Sequence, residues 1–263
     1  MQSVAGAGVV VTGAGSGIGA AIACRLAAEG ARVIVNDIDA AAASAVAASC
    51  GAIAMPGDAA SEEGVASLVQ GAADELDGID LFCANAGVAR GDGDAATEAD
   101  WAASWQVNVM AHVRAARLLL PGWLERGSGH LICTVSAAGL LTMLGSAPYS
   151  VTKHAALSHA EWLAATYAHR GITVQALCPM GVRTPMLADS PPAAEIILGE
   201  TAIEPEAVAD TVAEAIADGR FLILPHPEVA QMYAGRATDT DRWLRGMNRL
   251  QQRTEQAAVD GAG

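Results

Sequence analysis

Residues 8–37 read GVVVTGAGSGIGAAIACRLAAEGARVIVND, and this stretch limits the fold more than any other. An apolar run (8–13) meets a glycine-rich turn, a helical pattern (17–30) closes on Gly30, and a second apolar run (32–37) ends in Asp37. A helix between two short strands carries the chain back to its starting end, so the strands lie parallel. The unbroken VVV and VIV runs suit strands covered on both faces.

The rhythm continues. Apolar runs at 52–58, 79–87, 129–136, 171–179 and 220–225 alternate with helical patterns at 61–76, 99–125 and 148–169. Ser61 and Glu63 cap and charge the start of the first of these helices. The pattern predicts an α/β fold: one doubly wound Rossmann-type domain over 1–263, with a parallel sheet of about seven strands and helices on both faces. Residues 226–263 read as a C-terminal helical extension.

Gly13, Gly17 and Gly19 stand between the first strand and its helix, spaced G-x-x-x-G-x-G. Glycines there allow a tight turn and let a pyrophosphate approach the backbone. Asp37, eighteen residues after Gly19 at the end of the second strand, suits the hydroxyls of an adenosine ribose. Its charge would repel a 2′-phosphate, and the neutral Ala14, Gly15 and Ser16 offer that phosphate no partner. A dinucleotide site follows, for NAD in preference to NADP.

A net charge of −14 argues against nucleic acid or an anionic membrane as partner. Five scattered cysteines without a C-x-x-C pair fit reduced thiols, and the histidines form no ligand-spaced cluster, so no metal is expected. Neither a signal peptide nor an apolar run of membrane-spanning length is evident, so the expected location is cytoplasmic.

Lys153 is the sole lysine beside fourteen arginines, and it follows Tyr149, one of three tyrosines, by four residues. On a helix the two share a face. Ser136 ends the strand before that helix, and strand ends line the ligand crevice of a parallel sheet. A nearby ammonium favours the phenolate form of a tyrosine, and a serine hydroxyl can hold a substrate oxygen in line.

These residues bring the chain close to a known family. Over nearly its whole length it resembles the short-chain dehydrogenases/reductases, through TGAGSGIG (12–19), Asp58, NAG (85–87), Asn108 in VNVMAH, Ser136 and YSVTK (149–153), with Ser136 thirteen residues before Tyr149. The resemblance implies hydride transfer between NAD and a CH–OH group. Tyr149 would exchange the hydroxyl proton and Ser136 would orient the oxygen. Lys153 would bind the nicotinamide ribose and lower the Tyr149 pKa, and Asn108 would hold a relay water. The cofactor would lie along Gly13, Ser16, Gly17, Ile18, Gly19, Asp37, Asp58, Asn85, Ala86, Gly87, Tyr149, Lys153, Pro179, Val182 and Thr184. One departure stands out: CPMGVRT (178–184) carries Cys178 and Met180 where the family usually has Asn and Gly. The helices at 99–125 and 148–169 often pack between subunits in the family, which implies a homo-oligomer, a tetramer or a dimer.

The cleft walls implied by the family are AAGLLTMLGSAP (137–148) and PMLADSPPAAEIILGE (185–200), neither of which holds a basic residue. Leu140, Leu141, Met143, Leu144, Met180, Met186 and Leu187 could form an apolar wall, or serve as core or subunit contact. An apolar secondary alcohol or its ketone is expected over a phosphorylated or carboxylated substrate. A 3-hydroxyacyl or 3-oxoacyl thioester enzyme and a non-catalytic dinucleotide sensor are the alternatives. Trp243, Leu244, Met247 and Leu250, on helical spacing, would cover the cleft or join a subunit interface.

Overall fold

The computed structural model describes residues 3–91, 93, 95–190, 198–199 and 201–260, with the side chains of 257–260 excepted. In chain order the strands are β1 (Gly8–Thr12), β2 (Arg32–Asn36), β3 (Ile53–Ala54), β4 (Leu81–Ala84), β5 (Gly129–Thr134), β6 (Ile172–Leu177) and β7 (Leu222–Ile223). They form one parallel sheet in the order β3-β2-β1-β4-β5-β6-β7. The chain leaves β1 in one direction and returns from β3 to its other side at β4. That reversal opens a crevice beyond the carboxyl ends of β1 and β4.

Alternate side chains of each strand enter different layers. Val10, Phe82, Leu131 and Cys133 pack in one with α3 (Glu62–Leu76), α5 (Ala111–Arg126) and α7 (Ala147–Tyr167). Val9, Val11, Leu81, Cys83 and Ile132 pack in the other with α1 (Gly17–Ala28), α2 (Ala40–Cys50) and α9 (Pro205–Asp218). Burial on both faces explains the continuous apolar runs.

The observed strands are shorter than the apolar runs that announce them. At β3 the regular strand ends at Ala54; beyond it Met55 N and Gly57 N still donate to the Val35 and Asp37 carbonyls at 2.9 Å, and Asn36 Nδ2 takes the carbonyls of Met55 and Gly57 at 2.9 and 3.2 Å. At β4, β5 and β6 the excess residues (Asn85–Gly87, Ser136, Cys178–Pro179) leave the ladder and line the crevice, Cys178 excepted.

The helix expected over 99–125 also differs. Thr97 and Asp100 make a capping box that starts α4 (Glu98–Trp105), and a π-helical turn (Gln106–Met110) carrying Asn108 separates it from α5. After β5 come the short α6 (Ala137–Leu140) and α7, and after β6 the short α8 (Pro185–Ala188). The extension forms α10 (Glu228–Thr238) and α11 (Thr240–Asp260). No described helix is long and apolar enough to cross a membrane.

Candidate active site

One cavity of about 1600 Å³ runs along the carboxyl ends of the strands and is lined by nearly all of the expected site residues. At the glycine turn the close approach is literal. A Cβ on Gly19 would be driven into the Gly13 carbonyl oxygen and would lie 2.5 Å from Asn85 Nδ2. Gly13 itself adopts φ +61°, which a side chain disfavours. Ser16, the N-cap of α1, makes no side-chain cap, and the first turn of α1 holds no carboxylate, whereas Asp39, Ser61 and Thr97 cap their own helices. The N–H groups opening α1 therefore face the cavity uncapped by any side chain.

Asp37 binds the turn from the far side: Oδ2 accepts from Gly15 N at 2.8 Å and Oδ1 from Asp39 N at 3.0 Å. Asp58 lines the cavity and also accepts from Ala60 N and Ser61 N. Asn85 ties three strands together. Its Nδ2 donates to the Thr12 and Gly13 carbonyls, and its Oδ1 accepts from Thr134 Oγ1 at 3.1 Å. Thr12 Oγ1 in turn accepts from the N–H groups of Asn85 and Ala86.

Lys153 is buried and donates from Nζ to the Thr134 carbonyl at 2.9 Å. Burial pushes its pKa down to about 8. Its ammonium stands 5.5 Å from the centre of the Tyr149 ring. Tyr149 is half-buried and open to the cavity, and the protein packed around its hydroxyl raises the phenol pKa, against a lowering hydrogen bond with Ser136. In the protein alone the net shift of the tyrosine is upward, because burial outweighs the Ser136 contribution. Ser136 Oγ also accepts from Ala138 N at 3.1 Å.

Asn108 is fully buried, with Nδ2 donating to Val88 O and Thr152 Oγ1 and Oδ1 accepting from Val88 N. Both of its N–H donors are spent inside the protein, so a relay water at this side chain could only donate, to the remaining lone pair of Oδ1. It is first a clamp between the loop after β4 and α7.

Thr184 caps α8 and packs over the glycine turn, where a Cβ on Gly17 would meet its methyl at 2.9 Å. Pro179, Val182 and Met180 line the cavity. At the unusual Met180 the backbone N–H is held by His226 Nδ1 at 3.2 Å, so His226 carries its proton on Nε2, facing the Thr201 carbonyl. Cys178, buried behind the site, is a neutral thiol pushed up to about 12.

Of the expected apolar wall, Leu141, Met143, Leu144, Met180, Met186 and Leu187 do line the cavity. Leu140 does not: it is 1% exposed and packed into the core, because α6 turns its side chain toward the sheet. Residues 191–197 and 200 of the second wall lie outside the described residues. Sequence reasoning missed Thr12, Thr134, Thr152 and His226, whose partners are backbone groups or distant in the chain. It also missed two basic residues, since Arg242 and Arg249 of α11 line the same cavity.

The family model for short chain dehydrogenases matches residues 7–195. The chain is 37% identical over 230 residues to a 1-deoxy-11-beta-hydroxypentalenate dehydrogenase of Streptomyces exfoliatus, covering 83% of this chain and 82% of that protein. It is 36% identical over 193 residues to a 2,5-dichloro-2,5-cyclohexadiene-1,4-diol dehydrogenase of Sphingobium indicum, covering 71% and 77%. A short chain dehydrogenase/reductase from Burkholderia phymatum in complex with NAD superposes with a TM-score of 0.83 at 28% identity, covering 92% of this chain and 96% of that one. A 3-ketoacyl-(acyl-carrier-protein) reductase of Brucella melitensis complexed with NADH superposes at 0.78 and 26%, covering 84% and 97%. The chain belongs to the short chain dehydrogenase family.

Proposed function

We propose that this short chain dehydrogenase moves hydride between NAD and a secondary alcohol or ketone carried on an apolar body, with Tyr149 as the acid–base. The observation that carries the reading is one cavity holding Ser136, Tyr149 and Lys153 together with the uncapped α1 N-terminus and Asp37. At about 1600 Å³ it exceeds the range of roughly 300–1,000 Å³ usual for one small ligand, which suits a dinucleotide and a substrate side by side. The glycine turn, the free N–H groups of α1 and the Asp37 carboxylate fit the pyrophosphate and adenosine ribose of NAD. The NAD and NADH complexes of the two structural neighbours support the same cofactor.

NAD, when bound, supplies the hydride acceptor. The protein does the rest. Ser136 holds the substrate hydroxyl against the Tyr149 oxygen. Tyr149 takes the hydroxyl proton during oxidation and returns it during reduction. Lys153, still cationic at pH 7 with its pKa near 8, stabilises the phenolate as it forms. Asn108 keeps the loop after β4 and α7 in register, so that the three groups stay aligned.

Both dehydrogenase relatives are named for compounds bearing alcohol groups, which supports a CH–OH substrate. The test is NADH formation across a panel of cyclic secondary alcohols, with NADP and 3-hydroxyacyl thioesters as comparisons. Turnover with NAD that vanishes in Tyr149→Phe, with NAD binding retained, supports the reading. Turnover confined to thioesters moves the substrate class, and turnover surviving in Tyr149→Phe removes the acid–base assignment.

A homo-oligomer is part of the same reading. Trp105 and Leu118, on α4 and α5, and Val151 and Trp162, on α7, are 42–56% exposed, an apolar surface on the helices expected to meet a second copy. A monomer by light scattering would overturn it.

A further inference from the structure

The C-terminal extension brings chemistry to the cavity that the catalytic set does not use. Trp243, Gly246, Met247 and Leu250 fall at i, i+3, i+4 and i+7 of α11, and all four line the cavity that holds Tyr149. They make an apolar stripe. Beside Trp243 stands Arg242, which lines the same cavity.

Arg242 and Arg249 of α11, with Arg90 of the loop after β4, are the arginines that line this cavity. The chain carries 29 acidic residues against 15 basic ones, and Arg25, Arg126, Arg183 and Arg220 each pair with carboxylates. The side chain of Arg242 has no ion pair or hydrogen bond among the described residues, although Asp239 is three residues away. Asp239 is otherwise engaged: its Oδ1 accepts the backbone N–H of Arg242 at 2.9 Å and so caps α11. A guanidinium left free at a cavity wall in an acidic protein is placed to receive an anion.

The position of α11 relative to the reacting groups is set by one side chain of α10. Arg236 Nη1 donates to the carbonyls of Leu140 and Leu141, the latter at 2.9 Å, and to His154 Nε2 at 3.0 Å. His154 can accept because its Nδ1 donates to the Ser150 carbonyl at 2.9 Å, which leaves the lone pair on Nε2. The same guanidinium lies over the Trp243 ring, 5.0 Å from its centre. Arg236 therefore joins α11 to the segment that follows Ser136 and to the helix that carries Tyr149 and Lys153. Arg242 is next to Trp243, at this anchored end. Arg249 is seven residues on, about 10 Å farther along the helix.

We propose that α11 selects the substrate, and that it selects an alcohol whose apolar body carries a carboxylate: the body packs on Trp243, Met247 and Leu250, and the carboxylate pairs with Arg242. This rests on the oxidoreductase reading of the same cavity, and it replaces the uncharged substrate expected from residues 137–148 and 185–200 alone.

The experiment uses a hydroxydecalin carboxylic acid and its methyl ester. Both are titrated calorimetrically into the full-length protein saturated with NAD, and both are assayed for NADH formation. The acid should bind about tenfold tighter than the ester. Arg242→Gln should remove that preference while leaving ester binding and NAD affinity within about twofold, and Arg242→Lys should restore part of it. Met247→Ala should weaken acid and ester together. Equal binding of acid and ester by the wild-type protein overturns the proposal, as does binding of neither. An acid-selective loss in Arg249→Gln but not Arg242→Gln also overturns it, and so does a change in NAD affinity alone. The oxidoreductase reading fails separately: it falls if ligands bind as described but no NADH forms from either of them or from any other secondary alcohol.

Discussion

Lys153 Nζ donates to the main-chain carbonyl of Thr134, and the side chain of the same threonine donates to Asn85. The site's one ammonium is thus bound to the strand end that leads to Ser136, with no carboxylate hydrogen-bonded to it among the described residues. A buried cation held by a neutral acceptor costs stability, and that cost sets the first expectation.

Lys153→Met should abolish turnover yet raise the melting temperature at pH 7. The folded pKa near 8 lies below the unfolded value of 10.5, so the penalty is fully present below pH 8 and fades as pH rises to 10.5. Its size is roughly 3 kcal/mol at neutral pH, offset by about 1–3 kcal/mol for leaving the Thr134 carbonyl unpaired. The gain over wild type should shrink between pH 8 and 10.5 in thermal melts. A variant less stable at pH 7 than at pH 10 relative to wild type would contradict the assignment.

Asp37→Asn should relax cofactor choice. Removing Asp37 altogether would strip Gly15 N of its acceptor and disturb the turn for either cofactor, whereas asparagine keeps an acceptor oxygen and loses the charge. The ratio of kcat/KM for NAD over NADP should fall at least tenfold, mostly through KM. Equal losses with both cofactors would show that Asp37 only braces the turn.

Gly19→Ala should weaken NAD binding by an order of magnitude or more, because the added methyl meets the Gly13 carbonyl and Asn85 Nδ2 and must push α1 away from β1. Calorimetric titration with NAD reads this directly. Unchanged affinity would mean that the turn is not the phosphate cradle.

How much of this could be read in advance follows from how local each signal is. The glycine turn, Asp37 and the Tyr149–Lys153 pair are short-range patterns, and the structure puts them in one cavity with Ser136. Strand ends were overread because residues such as Asn85 and Ser136 continue an apolar run in sequence while leaving the ladder in space. Leu140 was misplaced for a related reason: LL at 140–141 has no period that separates a core side chain from a wall side chain in a four-residue helix. Thr12, Thr134 and His226 act through backbone groups or residues 19 to 74 positions away, which no local pattern encodes. The helical spacing of Trp243, Met247 and Leu250 does not by itself distinguish cleft from interface; the contacts of Arg236 with Leu140, Leu141 and His154, which lie far off in the chain, bring α11 to the cavity.

His112 gives the last expectation. It lies on α5 one turn after Asn108, is 1% exposed, and neither ring nitrogen has a hydrogen-bond partner among the described residues. Burial, then the charges of Lys153 and His159, push its pKa down to about 3. The unfolded chain takes up this proton below pH 6.5 and the folded protein only near pH 3, so stability is lost as pH falls through that window. At pH 5 the loss is roughly 2 kcal/mol relative to pH 8. His130, lowered to about 4, adds a parallel loss that the substitution leaves in place. His112→Leu should therefore be about 1 kcal/mol more stable at pH 8, where two unpaired nitrogens are removed from the core. It should also lose less of its melting temperature than wild type between pH 8 and pH 5. Calorimetric melts at the two pH values decide it: parallel falls in both proteins would mean that His112 finds a partner for its proton in the folded state.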